Sequence, residues 1–148
     1  MAELTIAELE RAGERDLGTS DWTTIDQGRI ERFAEATHDH QWIHVDPEMA
    51  KQGPFGTTVA HGYLQLSLLP FLMSQVLSVS DARMGINYGI DKIRFTSPVP
   101  SGSEVRLKAR LLGSERRGEG VRYRVGVELE VKGADKPAFV GEVVYLVF

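Results

Sequence analysis

Apolar residues in the second half of the chain fall on alternate positions, and this is the strongest pattern in the sequence. Val105, Leu107, Ala109 and Leu111 share one parity, as do Val121, Tyr123, Val125, Val127 and Leu129. A side-chain period of two belongs to a half-buried strand. Four strands are expected on this basis: Met84 to Phe95, Glu104 to Leu112, Val121 to Lys132 and Ala138 to Phe148. Pro98 to Gly102 and Lys132 to Pro137 supply turn chemistry between them.

The first half carries helical signals instead. Thr5 with Glu8 three residues on predicts a capped helix over Thr5 to Ala12, and Asp26 caps a second over Gln27 to Ala36, with Ile30, Phe33 and Ala34 on one face. Thr37 to Val45 reads as a loop. Asp46-Pro47 opens a short turn of helix that stops at Gly53-Pro54. From His61-Gly62-Tyr63 a helix should run to about Ser78, apolar all round and so buried, with a bend at Pro70. Helices followed by an antiparallel meander indicate an α+β domain, a sheet of about five strands wrapped round one long central helix.

Composition narrows the function. With 148 residues, 42% hydrophobic and 26% charged, the chain is expected to form one folded domain over 1–148 that needs no metal or disulfide staple. A net charge of −4 with interspersed signs offers no basic stripe, so no nucleic-acid partner is expected. The absence of cysteine excludes disulfides and thiolate chemistry. The charged start is not expected to act as a secretory signal. The most apolar stretch, Leu64 to Leu77, is interrupted by Gln65, Ser67, Pro70, Ser74 and Gln75, too polar for a membrane span. A cytoplasmic location is expected, with no membrane partner.

Two segments carry candidate chemistry. Between His38 and His44 lie three of the four histidines and Asp39. Asp39 and His44, five apart in a loop, can converge on one water, one group taking a proton while the other delivers one. A surface ion pair is the commoner role for such residues, and His38, His40 and His44 also suit a metal, although without a fourth partner no metal site is expected. Trp42 and Ile43 are expected to anchor the loop. The second segment is Ala60-His61-Gly62, where a glycine lets a ligand approach the backbone of a helix start, whose free amides suit an oxygen gaining negative charge. A tight turn into the helix would also call for Gly62, and His61 also suits a capping or packing role.

Taken together, Thr37 to His44, Asp46-Pro47, Gly53 to Gly62, Asn87-Tyr88-Gly89, Lys92 to Phe95, Pro98 to Pro100 and Gly102 resemble the MaoC-like, (R)-specific enoyl-CoA hydratases, closest to the NodN-like branch. The resemblance covers roughly residues 15 to 148. It implies a hot-dog fold, a homodimer, and syn addition of water to a trans-2-enoyl-CoA, with no cofactor beyond the CoA of the substrate. Asp39 and His44 match the catalytic pair, and Gly62 matches the residue whose amide holds the thioester oxygen. Gln41 stands where the family often has an asparagine that orients the pair, and Trp42 replaces a common proline. His38 stands where the family usually has glycine; a positive φ there would strain a histidine. Gln41, Phe55, His61, Tyr63 and Arg94 are expected at the substrate, with Leu66 as a further tunnel residue and Lys51, Arg83 and Lys92 as further phosphate contacts. The alternatives are a hot-dog acyl-CoA thioesterase or a non-catalytic acyl-CoA-binding partner subunit of a dehydratase. Against the thioesterase, no Asp or Glu lies between His61 and Ser80.

Overall fold

The computed structural model describes residues 1–148. β1 (Ala2–Leu4) leads into α1 (Ile6–Arg11), whose start is set by the expected capping box. Glu8 N–H donates to Thr5 Oγ1 at 3.2 Å, and Thr5 N–H donates to the Glu8 carboxylate at 2.8 Å. β2 (Arg15–Thr19) and β3 (Thr23–Ile25) precede α2 (Gln27–Thr37), which Asp26 caps by accepting from Arg29 N–H at 2.8 Å. Two short helical segments follow, α3 (Trp42–Val45) and α4 (Pro47–Lys51), sharing Asp46 as the end of one and the cap of the next. Next come α5 (Gly62–Ser67), α6 (Leu69–Met73) and β4 (Leu77–Val79). The chain finishes with β5 (Gly85–Phe95), β6 (Ser103–Arg117), β7 (Gly120–Val131) and β8 (Phe139–Val147).

The main sheet is antiparallel, in the order β2-β6-β7-β8-β5, with β3 also on β6. The expected long strands are therefore present, and the sheet has six rather than about five. The added ones are β2 and β3, two short pieces of a single edge along β6. Ser20 bridges the gap between them: its N–H donates to the Leu107 carbonyl and its Oγ accepts from Leu107 N–H, each at 2.9 Å. The inward parity of β6 from Val105 to Leu111 and of β7 from Val121 to Leu129 is buried and packs with Phe139, Leu64, Leu69, Leu72 and Val76 into one core. Each such leucine or valine removed from water contributes roughly 1.5–3 kcal/mol. This is the hot-dog arrangement, a sheet curled over the α5–α6 helix.

That helix departs from the sequence reading in two ways. It breaks at Leu68 instead of bending at Pro70, and it ends at Met73, so Leu77–Val79 is strand paired in parallel with β1. Pro70 brings no N–H to the turn before it, and the chain relaxes there. Nor is the helix buried all round: Leu64, Leu69, Leu72 and Met73 are, whereas Tyr63 and Phe71 are exposed. The exposed flank has a counterpart in β5, where Ile86, Tyr88, Ile90 and Phe95 are exposed on an edge strand. No helix is long and apolar enough to cross a membrane.

Candidate active site

α2 delivers the chain to the site through one unusual backbone turn. Its last residue, Thr37, donates from Oγ1 to the Phe33 carbonyl at 2.7 Å, and His38 then adopts φ 60°, ψ 20°. The position thus has the positive φ that makes glycine natural there. A side chain in this left-handed conformation costs about 1 kcal/mol, and histidine tolerates it better than most. The reversal places Asp39, His40 and Gln41 on an exposed loop before α3. One Asp39 carboxylate oxygen lies 3.4 Å from Gln41 N–H, a long contact.

His44 is held from several sides. The segment read as loop closes into the helical turn Trp42–Val45, and His44 is 7% exposed. Its Nδ1 lies 2.6 Å from the Val59 carbonyl, an acceptor only, so Nδ1 carries the proton and Nε2 presents a lone pair. Gln27, at the start of α2, donates from Nε2 to the His44 carbonyl at 2.8 Å and accepts from Thr58 Oγ1 at 2.6 Å. Trp42 anchors the turn as expected: a Cβ on Gly53 would lie 2.8 Å from its ring, so the close packing requires glycine.

His61 joins the pair from the helix start. It is 2% exposed, its ring stacks on His44 with centroids 3.8 Å apart and planes 24° apart, and Phe33 lies against it at 4.9 Å. Its Nε2–H donates to the Asp39 backbone carbonyl at 3.0 Å, while Nδ1 is buried without a partner. Burial holds this imidazole below the usual histidine range, and the neighbouring His44 and His40 add to that, against the hydrogen bond to Asp39, which raises it.

One polar atom each from Asp39, His44 and His61 therefore falls within 4.8 Å of the others. The arrangement suits proton transfer better than metal binding. Stacked rings send their in-plane lone pairs side by side instead of towards one centre, and each ring already bonds a carbonyl. Gly62 is the first residue of α5, so no turn of its own helix accepts its amide. A Cβ there would stand 3.1 Å from the Phe95 ring, so the glycine keeps this crowded corner open.

The remaining expected residues are looser. Gln41 is exposed and contributes its N–H near Asp39. Tyr63 is 70% exposed, edge-on to Phe95 at 6.3 Å, and Phe55 is exposed in the turn after α4. Among the candidate phosphate contacts, Lys51 pairs with Glu48 at 3.0 Å and Lys92 with Glu142 at 3.5 Å, while exposed Arg94 bonds the Ile93 carbonyl at 2.9 Å. Sequence reasoning missed Gln27, Thr58, the Val59 carbonyl, Phe33 and Phe95. Their partners lie 15 or more residues away, and nothing local to any of them signals those contacts. One turn beyond Gly62 opens a cleft of about 330 Å³, lined by Leu66, Leu69, Pro70, Asn87, Ile90 and Tyr145 among others.

Comparison with known proteins places the chain in a family. The chain is 50% identical over 139 residues to 3-hydroxyacyl-thioester dehydratase Z of Mycobacterium tuberculosis, covering 93% of this chain and 92% of that protein. It is 46% identical over 135 residues to Nodulation protein N of Rhizobium leguminosarum, covering 88% and 84%. R-hydratase PhaJ1 from Pseudomonas aeruginosa, in its unliganded form, superposes with a TM-score of 0.76 at 24% identity over 97% of this chain and 85% of that one, a likeness of fold. Residues 8–133 match the MaoC like domain, and the chain belongs to that family.

Proposed function

We propose that this chain is an (R)-specific enoyl-CoA hydratase, adding water reversibly and with syn geometry to a trans-2-enoyl-CoA to give the (R)-3-hydroxyacyl-CoA. The coarser part, a hydro-lyase of the 3-hydroxyacyl-thioester dehydratase type, rests on the family and on 50% identity to such an enzyme. CoA as the carrier, the (R) configuration and the residue roles are the finer part.

The observation that carries the mechanism is the tautomer of His44. With its Nδ1 proton committed to Val59, Nε2 is free to take a proton from water as the water oxygen attacks C3. The proton passes by way of Asp39 to C2, so that H and OH arrive on one face and both groups are returned unchanged. Meanwhile the Gly62 amide faces the thioester oxygen, which gains enolate character as C3 is attacked. The acyl chain follows the helix from Gly62 past Leu66 into the apolar cleft. A homodimer completes the site: the unpaired edge of β5, with Ile86, Tyr88 and Ile90 exposed, is the surface a second copy would cover.

The test is hydration of crotonyl-CoA, followed by loss of enoyl absorbance, with chiral analysis of the product and a parallel measurement of free CoA. Turnover to the (R) product without CoA release is expected. Thioester hydrolysis in place of hydration would replace the reading with a thioesterase.

A further inference from the structure

Resting on the reading of Asp39 and His44 as the working pair, we infer that His61 is a positioning residue for both. Its ring sets the plane of His44 by stacking, and its Nε2–H sets the place of Asp39 by holding that residue's backbone carbonyl.

The two working groups come from differently held segments, and His61 is the side chain that touches both. His44 is buried in a helical turn, and Asp39 sits on an exposed loop after a left-handed residue. The Asp39 carbonyl is held by His61 at 3.0 Å, whereas its carboxylate has only the long contact to Gln41 N–H. Packing alone does not call for an imidazole here. The neighbours are the face of His44 and the ring of Phe33, and stacking against either needs an aromatic ring but no N–H. What distinguishes histidine is the donor at Nε2, kept although Nδ1 stays buried and unpartnered, an arrangement that costs about 1–3 kcal/mol. Burial favours the neutral ring, which fixes one tautomer with its single N–H towards Asp39. A neutral ring also places no second positive charge against His44 when that residue takes the proton of water.

Three variants separate the two contacts. His61→Phe keeps a stacking ring and loses the donor, His61→Gln keeps a donor of similar reach and loses the ring, and His61→Ala loses both. In hydration of crotonyl-CoA, His61→Phe is expected to lower kcat about tenfold, the kinetic equivalent of one hydrogen bond, with KM within about threefold of wild type. His61→Gln recovers part of that loss, and His61→Ala falls below both. Rates are taken per folded protein, with thermal melts run alongside, so reduced stability does not mimic lost alignment. A His61→Phe kcat within about twofold of wild type, or a loss confined to KM or to the folded fraction, overturns the inference. Should wild type turn over no enoyl thioester, the functional reading fails first, and ¹⁵N imidazole spectra decide about His61. One Nε2–H tautomer from pH 6 to 8 upholds the fixed donor to Asp39, and an averaged mixture of tautomers overturns it.

Discussion

The two halves of the site are built to different standards. His44 lies in a turn of helix whose ring nitrogen, backbone carbonyl and ring face all have partners: Val59, Gln27 and His61. Asp39, five residues earlier, is exposed and follows a histidine in a left-handed conformation, with one backbone hydrogen bond of ordinary length, to His61. On the proposed mechanism the base is thus set in place by the fold, while the acid sits on an exposed loop. On that mechanism, a preorganised His44 removes an alignment cost from the chemical step.

The contrast is broken most severely by removing either chemical group. Asp39→Asn and His44→Ala should each lower kcat by roughly 10²–10⁴-fold, the usual share of general acid–base catalysis, while the protein stays folded. Next in size, Gln27→Leu strips the support from the fixed half and leaves both the His44 carbonyl and Thr58 Oγ1 without their partner. A loss of about 1–3 kcal/mol in stability is expected from the stranded groups, read by urea denaturation, together with a lower kcat. A Gln27→Leu enzyme with unchanged kcat would mean that His44 does not need that anchor.

Acid should lower the stability of the fold through His61. His61 has a folded pKa below its unfolded value of about 6.5, because its burial disfavours the charged ring. Between those two values the unfolded chain binds a proton that the folded chain does not, so stability falls as pH drops below about 6.5. Denaturation curves at successive pH values should show this decline in wild type and a shallower one in His61→Gln. The smallest effect belongs to the loose half. His38→Gly relieves the left-handed strain but adds backbone freedom to the unfolded chain, for a net gain within about 1 kcal/mol. Measured by melting temperature, a clear loss of stability would show that the His38 side chain itself supports the loop.

Much of the molecule was legible because burial and apolarity coincide in it. The alternations over Glu104 to Leu112 and Val121 to Lys132 became β6 and β7, with Val105 to Leu111 and Val121 to Leu129 buried on one parity, and Thr5 and Asp26 capped the helices they precede. Where the two properties part, the reading failed. Tyr63 and Phe71 made α5–α6 look buried all round, although both are exposed, as are Ile86, Tyr88, Ile90 and Phe95 on edge strand β5. β2 and β3 are only five and three residues long, with polar composition, and their place in the sheet comes from pairing with β6. At the site, Asp39, His44 and Gly62 were visible as candidates, from their residue types and from the family resemblance. The Val59 carbonyl that fixes the His44 tautomer was not, since a backbone oxygen has no sequence signature.

The pairing of Asp39 with His44 is tested most directly by the double variant. In hydration of crotonyl-CoA, Asp39→Asn combined with His44→Ala should be no slower than the worse single variant, because groups that act as one unit are lost together. Losses that multiply across the two sites, or a single variant that keeps the wild-type rate, would contradict a shared proton path.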